Sequence, residues 1–75
     1  MAVNLVFLGR LADLAGAGER EVASASLEAI LSALGPEFTG PRINLALNGA
    51  ILAERNDIHL RDGDELAFLP PVSGG

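Results

Sequence analysis

The sequence predicts a single α+β domain in which one main helix lies across one face of a mixed sheet of five, or four, strands, with a short first helix beside it. A chain of 75 residues is enough for one hydrophobic core. Helical periodicity is strongest in residues 26–34, and short alternating runs lie on both sides of that segment. Because an amphipathic helix must bury its apolar stripe, we expect the strands to pair beneath it.

Two strands and the short helix are predicted before the main helix. Residues 3–8, VNLVFL, alternate as a strand does, with side chains directed to both faces. Residues 10–15, RLADLA, carry leucines at helical spacing and are followed by glycines, which often end a helix. Residues 19–24, EREVAS, form a weaker strand, and their charges favour a position at the edge of the sheet.

The main helix has a start signal, an apolar stripe and a stop signal. Ser26 is a suitable N-cap because its hydroxyl accepts hydrogen bonds from free amides of the first turn. Gly35 is expected in the left-handed conformation after the last turn, and Pro36 prevents the helix from continuing. Four residues at helical spacing form the stripe: Leu27, Ile30, Leu31 and Leu34.

Three strands are predicted after the main helix. Residues 36–41 are a loop whose phenylalanine is expected to pack against the core. Residues 43–47 alternate as a strand, and they are followed by Asn-Gly, the pair that two-residue hairpin turns favour. Residues 50–53 form the short return strand of that hairpin.

A polar connection and a tight turn lead to the last strand. Residues 54–61 are mostly polar, with two aliphatic residues directed inward, and residues 62–64, Asp-Gly-Asp, form the turn. Residues 65–69, ELAFL, are the last strand. Two strands before a single main helix and three after it are typical of the ubiquitin-like β-grasp, which is therefore the fold predicted for residues 1–69.

The strand pattern leaves two interpretations of the sheet face opposite the helix. A sheet with one wet face should alternate apolar and polar residues, but this second face is also apolar. Isolated exposed aliphatic residues are common, which is one explanation. A docking surface for another protein explains the pattern equally well. The apolar residues assigned to this face are Val6, Leu8, Ala46, Ala67 and Leu69.

Composition excludes several classes of function. The net charge of −5, from ten acidic residues and five arginines, disfavours nucleic-acid binding, which needs a positive surface. The absence of cysteine excludes disulfides, thiolate metal sites and thiol nucleophiles. Neither a signal peptide nor an apolar run of membrane-spanning length is visible, so we expect a cytoplasmic protein without membrane contact.

Candidate catalytic residues are few. His59 is the only histidine, and without a neighbouring base or nucleophile it is interpreted as a surface residue. An acidic cluster near it lacks the spacing of a calcium-binding loop, and turn residues are the preferred interpretation. Its members are Asp57, Asp62, Asp64 and Glu65. The domain by itself is not expected to be an enzyme or to bind a metal.

The end of the chain, PPVSGG, is its most unusual segment. Pro70 and Pro71 have no N–H to pair with the sheet and favour an extended path, so residues 70–75 are predicted to be a flexible tail. Six extended residues reach roughly 20 Å. Gly74 and Gly75 have no Cβ atoms, so they fit a narrow channel and leave the terminal carbonyl open to attack. A frayed terminus is the ordinary alternative.

Three segments of the chain form a recognisable set: FLGRLADLAG at the end of the first strand, LRDGDELAFLPP near the end of the chain and FLPPVSGG at its end. Together they resemble the MoaD group of the MoaD/ThiS sulfur-carrier family, the small subunits of molybdopterin synthase. The resemblance covers essentially the whole chain. It is most specific in the terminal segment, whereas the middle of the chain matches only as a general pattern.

The resemblance implies a function for the tail. In that family a ubiquitin-activating-type adenylyltransferase, MoeB-like, uses ATP to adenylate the terminal glycine, here Gly75, and a sulfur donor converts the adenylate to a thiocarboxylate. The large synthase subunit, MoaE-like, accepts the loaded tail, and the sulfur builds the dithiolene of molybdopterin. The family also implies a heterotetramer of two small and two large subunits, with no cofactor bound to the small one.

The same resemblance assigns roles to individual residues. Gly75 carries the reacting atom, and Gly74 permits entry into the channel of the large subunit. Acidic residues near the last strand are expected to meet the activating enzyme. The other binding residues guide the tail or contact the large subunit, and they are Ser73, Val72, Pro71, Pro70, Leu69, Phe68 and Leu8.

Three alternatives stay open. A ThiS-like carrier for thiazole synthesis, or a carrier for cysteine or tRNA thiolation, also ends in Gly-Gly, although ThiS-like chains usually lack the first helix and the double proline. A ubiquitin-like modifier is joined to lysines of target proteins. A β-grasp interaction module with an inert tail is the third.

Overall fold

The computed structural model describes residues 2–40 and 42–71 of the chain. Within these ranges the helices are α1 at Arg10–Ala15, α2 at Leu27–Leu34 and α3 at Pro36–Thr39. The strands in the same ranges are β1 at Val3–Phe7, β2 at Glu19–Val22, β3 at Ala25–Ser26, β4 at Asn44–Leu47, β5 at Ala50–Ile51, β6 at His59–Leu60 and β7 at Glu65–Leu69. No helix in this part of the chain is both long and apolar enough to cross a membrane.

Five of the strands form one sheet in the order β2-β1-β7-β4-β5. The neighbours β1 and β7 run parallel, and the other neighbouring pairs of this sheet are antiparallel. The predicted mixed five-stranded sheet is confirmed, and β2 lies at its edge as predicted. A second, two-stranded sheet of β3 and β6 was not predicted, because two-residue strands are too short to show alternation.

The core lies between the sheet and the helices and contains all three phenylalanines. The ring of Phe7 packs edge-on against Phe38, with centroids 5.3 Å apart, and is stacked on Phe68 at 5.1 Å. The guanidinium carbon of Arg20, on β2, lies 5.8 Å from the centroid of the Phe7 ring and covers the cluster. The cluster therefore ties β1, α3 and β7 together, and the predicted packing of the phenylalanine after α2 is confirmed.

The main helix lies where its pattern predicts. Leu27 and Ile30 are buried in the core, and the other two members of the stripe are half-buried at its margin. The Ser26 hydroxyl accepts a hydrogen bond from the Ala29 N–H at 3.2 Å, which confirms the predicted N-cap. The stripe and the cap together fix both the start of α2 and the face that it buries.

The end of α2 differs from the prediction. Gly35 has φ 103° and ψ 168°, so φ is positive but the residue does not have the left-handed helical conformation. The following proline explains this, because a residue before proline avoids helical ψ and favours extended values. The Gly35 N–H still donates to the Leu31 carbonyl at 3.3 Å. Pro36 then opens the short helix α3, where a loop was expected.

The hairpin turn is joined to the turn that precedes β7. Asn48 and Gly49 have φ values of 50° and 90°, as the predicted two-residue turn requires. The Asn48 Nδ2 donates to Asp64 Oδ1 at 3.1 Å, and its Oδ1 accepts from the Glu65 N–H at 2.9 Å. Asp64 Oδ2 accepts from the Arg61 N–H at 2.9 Å. The Arg61 amide, followed by Asn48, lowers the pKa of Asp64 because both stabilise its carboxylate.

Replacing Phe7 with alanine should lower the free energy of unfolding by about 3–5 kcal/mol, because it opens a cavity between two aromatic rings. Urea denaturation measures this loss. Leu14→Ala is the control, since Leu14 is 59% exposed and its truncation should change the free energy by less than about 0.5 kcal/mol. Equal losses in the two variants would contradict the placement of the core.

The stability of the domain should depend on the ionisation of Asp64. Its pKa in the folded chain lies below the ordinary value of 3.8, so the carboxylate stabilises the fold above that value. This stabilisation is lost as the pH falls through 3.8 towards the folded pKa. Asp64→Asn should be less stable than the unchanged chain at pH 7. It should also lose less of its free energy of unfolding when the pH is lowered.

Urea denaturation at a series of pH values tests this expectation. Asp62→Asn is the matched control, because it removes the same charge from the same turn and leaves the Asn48 and Arg61 hydrogen bonds in place. If the free energy of unfolding falls equally in Asp64→Asn and in the unchanged chain as the pH is lowered, the assigned role of Asp64 is ruled out.

Candidate functional site

The sheet has one covered face and one face turned towards solvent, here called the open face. Buried and half-buried positions alternate along β1, as expected when helices cover only one face. β7 shows the same alternation, starting from an exposed Glu65. The open face is therefore the surface for which the sequence leaves two interpretations.

The strand register places the apolar residues of the open face side by side. Val6 in β1 lies opposite Ala67 in β7, and Ala67 lies opposite Ala46 in β4. Ala46 in turn lies opposite Ile51 in β5. One apolar row therefore crosses four of the five strands. These residues are adjacent to one another and are not isolated aliphatic residues scattered over the surface.

Two leucines extend this row towards the end of β7. The Leu8 N–H donates to the Phe68 carbonyl at 3.1 Å, which continues the pairing of β1 with β7 and brings Leu8 beside Leu69. Leu8 is 41% exposed, and Ile51 at the other end of the row is 61% exposed. We call the whole surface the open-face patch, and it consists of Val6, Leu8, Ala46, Ile51, Ala67 and Leu69. Ala46 is buried, and the other five are half-buried or exposed.

Ile51 is a member of this patch that was not predicted. The Asn-Gly turn fixes the register of β4 with β5, because in a two-residue hairpin the residues on either side of the turn pair first, and the next residues outward then pair in order. Leu47 therefore pairs with Ala50, and Ala46 pairs with Ile51. Counting outward from the turn would have placed Ile51 on the open face.

The chain leaves the sheet directly beside the open-face patch. Pro70 and Pro71 follow β7 outside any strand and are half-buried. Gly9 has φ 57° and ψ −136°, and a Cβ atom on it would lie only 3.1 Å from Cγ of Pro70. The missing side chain of Gly9 therefore makes room for Pro70, so the end of β1 shapes the path by which the chain leaves.

The other predicted tail residues lie outside the described part of the chain: Val72, Ser73, Gly74 and Gly75. Phe68 belongs to the core, because its side chain is 0% exposed under the sheet. As the domain stands, Phe68 can affect partner binding only indirectly, by fixing the position of β7. Leu8, Leu69, Pro70 and Pro71 are thus the predicted site residues that the structure brings together at one surface.

Acidic residues border the patch at β2 and on the side away from the tail. Glu19 lies opposite Val6, and Glu21 and Glu65 lie on either side of Asn4. The Asn4 Nδ2 donates to Glu19 Oε1 at 3.0 Å. A partner that covers the whole open face therefore meets apolar side chains near the tail and negative charge beyond them.

The geometry offers no catalytic constellation in the described ranges. His59 is exposed on β6, as the sequence analysis expected. Among residues 2–40 and 42–71, no three histidine or acidic side chains are grouped so that they could hold a metal ion. What the structure presents is an apolar surface next to the point where the chain leaves the sheet.

Comparison with known proteins identifies the family. A family model described as the ThiS family matches residues 5–75. The chain belongs to the ThiS family. The predicted resemblance to the MoaD/ThiS sulfur carriers is confirmed, and the match covers the open face and the tail alike.

Relatives and solved structures support the same family and fold. The molybdopterin synthase sulfur carrier subunit of Escherichia coli (strain K12) is 35% identical over 82 residues, covering 97% of this chain and 99% of that protein. The crystal structure of SAMP1 from Haloferax volcanii matches with TM-score 0.76 and 27% identity, covering 100% of both chains. The complex of subunits 1 and 2 of molybdopterin-converting factor from Helicobacter pylori 26695 contains a chain that matches this one. The TM-score is 0.69, the identity is 29%, and 100% of both chains is covered. The ubiquitin-like β-grasp is therefore the fold.

Proposed function

We propose that this chain is the sulfur carrier subunit of a molybdopterin synthase. The observation that carries the proposal is the open-face patch, which runs without interruption to the point where Pro70 leaves the sheet. A protein that binds the patch receives the tail at the same time. The relative from Escherichia coli, which is named as such a carrier subunit, supports the choice of pathway.

The chemistry rests on Gly75 as a terminal carboxylate. A carboxylate is a poor electrophile, so an activating enzyme first joins one of its oxygens to the α-phosphorus of ATP and releases pyrophosphate. A sulfur donor then attacks the acyl carbon, and AMP leaves with the oxygen. The product is a thiocarboxylate on Gly75. The chain contains no cysteine, so its own side chains offer no thiol to hold the sulfur.

Two kinds of partner follow from this chemistry. A MoeB-like adenylyltransferase binds ATP and supplies the catalytic groups for activation. A MoaE-like large subunit accepts the loaded tail and passes the sulfur to the pterin precursor. The complex of subunits 1 and 2 from Helicobacter pylori supports a large-subunit partner. A heterotetramer in the cytoplasm is the assembly that we propose.

One observation favours a second candidate, a protein modifier. SAMP1 from Methanosarcina acetivorans, a small archaeal modifier protein, matches with TM-score 0.75 and 28% identity. A modifier uses the same activated tail but transfers the acyl group to an amine of another protein. The two functions give different products. A sulfur carrier yields a thiocarboxylate that the large subunit consumes, whereas a modifier yields an amide bond to a target protein.

Incubation with ATP, a sulfide source and the activating enzyme should raise the intact mass of the chain by roughly 16 Da, because sulfur replaces one oxygen. Intact mass spectrometry measures this change. A chain with one residue added after Gly75 is the matched control, and it should bind the activating enzyme but gain no sulfur. A folded, enzyme-bound chain that stays at its original mass argues against the carrier function.

The double variant Leu8→Ser, Ile51→Ser should weaken binding to a large synthase subunit at least about tenfold, because it removes the most exposed parts of the patch. Calorimetric titration measures the affinity. Both side chains are exposed, so the free energy of unfolding should change by less than about 1 kcal/mol. Leu14→Ser, which alters a similarly exposed leucine on α1, should leave the affinity unchanged. A loss of affinity as large in Leu14→Ser would show that the patch is not the docking surface.

A further inference from the structure

A second surface with the properties of a binding site lies at the β2 edge of the sheet. β2 pairs with β1 on one side and ends the strand order, so its other side has no strand partner in the described part of the chain. The opposite edge is formed by the two-residue β5 and is shorter. An edge strand with free backbone groups is a template for one more strand.

The register shows which backbone groups of β2 point outward. The Phe7 N–H donates to the Gly18 carbonyl at 2.8 Å, so these two residues form a hydrogen-bonded pair. Such pairs alternate in an antiparallel ladder, and the next one is Leu5 with Arg20. The residues between these pairs direct their backbone N–H and C=O groups away from β1. Glu19 and Glu21 are two of these outward-facing residues.

A groove of about 240 Å³ runs along this edge, between β2 and α2. Ala29 and Ala33 form its helix side, and their short side chains leave room above the sheet. Val22 and Leu34 add larger apolar surfaces. The groove lies on the covered side of the sheet, whereas the open-face patch lies on the other side.

The edge and the groove together define one kind of occupant. A strand added to β2 directs alternate side chains to opposite faces of the sheet. Side chains level with Arg20 and Val22 enter the groove. Its lining is apolar apart from Arg20, whose charge disfavours a basic residue there, so aliphatic side chains fit it best. Side chains level with Glu19 and Glu21 lie on the open-face side, where cross-strand pairing with these glutamates favours lysine or arginine.

We propose that the β2 edge and the β2–α2 groove bind an extended protein segment in which aliphatic and basic residues alternate. The segment extends the sheet by one strand through the outward-facing backbone groups of β2. This site goes beyond the proposed sulfur-carrier function, because neither the open-face patch nor the tail contributes to it.

A blocked hexapeptide of alternating valine and lysine is the probe for this site. It should bind with a dissociation constant between about 10 µM and 1 mM, as expected of a small interface. In a ¹⁵N NMR titration the amide shifts should concentrate in residues 19–23 and in α2. A valine–glutamate hexapeptide should bind at least tenfold more weakly. Shifts confined to the open-face patch, or equal binding of the two peptides, would overturn the proposal.

Two pairs of variants separate backbone pairing and groove filling from net charge. Glu21→Pro removes an outward-facing N–H without touching the β1–β2 ladder and should weaken peptide binding at least tenfold, whereas Glu21→Ala removes only the charge and should weaken it less. Ala33→Arg fills the groove and should also weaken binding at least tenfold. Its control is Ala17→Arg, an equal charge change at another exposed position, which should bind like the unchanged chain.

The two variants also protect the test against misfolding. If Glu21→Pro disturbs the domain, Ala33→Arg still decides, since Ala33 is exposed and its replacement is compatible with the fold. Peptide affinity that is the same in Ala33→Arg and Ala17→Arg would refute the groove. Sulfur loading measured in the same samples reports on the carrier function separately, because it depends on Gly75 and not on β2.

Discussion

The parallel pairing of β1 with β7 is the contact on which the rest of the molecule depends. It joins the first and last strands of the chain near the middle of the sheet, with Phe7 level with Phe68 and their rings stacked in the core. Parallel strands end at the same edge of a sheet, so the end of β1 and the origin of the tail lie side by side. Leu8 and Gly9 therefore become neighbours of Leu69 and Pro70, although about sixty residues separate them in the chain.

This arrangement joins a well-packed support to the point at which the chain leaves the sheet. The phenylalanine cluster, the α2 stripe and the linked turns at Asn48 and Asp64 hold the sheet in one register. That register aligns the open-face patch with the exit of the chain. The described residues hold no group of side chains that could bind a metal. In the proposed function the catalytic groups belong to partner proteins, and this fold supplies a surface for recognition.

Much of this was predictable from local patterns. Alternation identified β1, β4 and β7, the helical stripe and Ser26 identified α2, and Asn48-Gly49 identified the hairpin. The failures were of two kinds. Two-residue strands and the four-residue α3 are too short for a periodic signal. The conformation of Gly35 depended on the following proline, which competes with the usual glycine C-cap.

By itself the sequence predicted the fold class, the strands of the main sheet, the main helix and the family resemblance, and its lack of cysteine excluded thiol chemistry. Only the tertiary structure decided that the apolar residues of the open face form one row, that Ile51 belongs to it and that Gly9 makes room for Pro70. The physical reason is the sequence separation over which each interaction acts. Periodicity and capping act between residues a few positions apart, whereas the row and the exit depend on which strands become neighbours. That choice is made by burial of the whole core, which no short segment encodes alone.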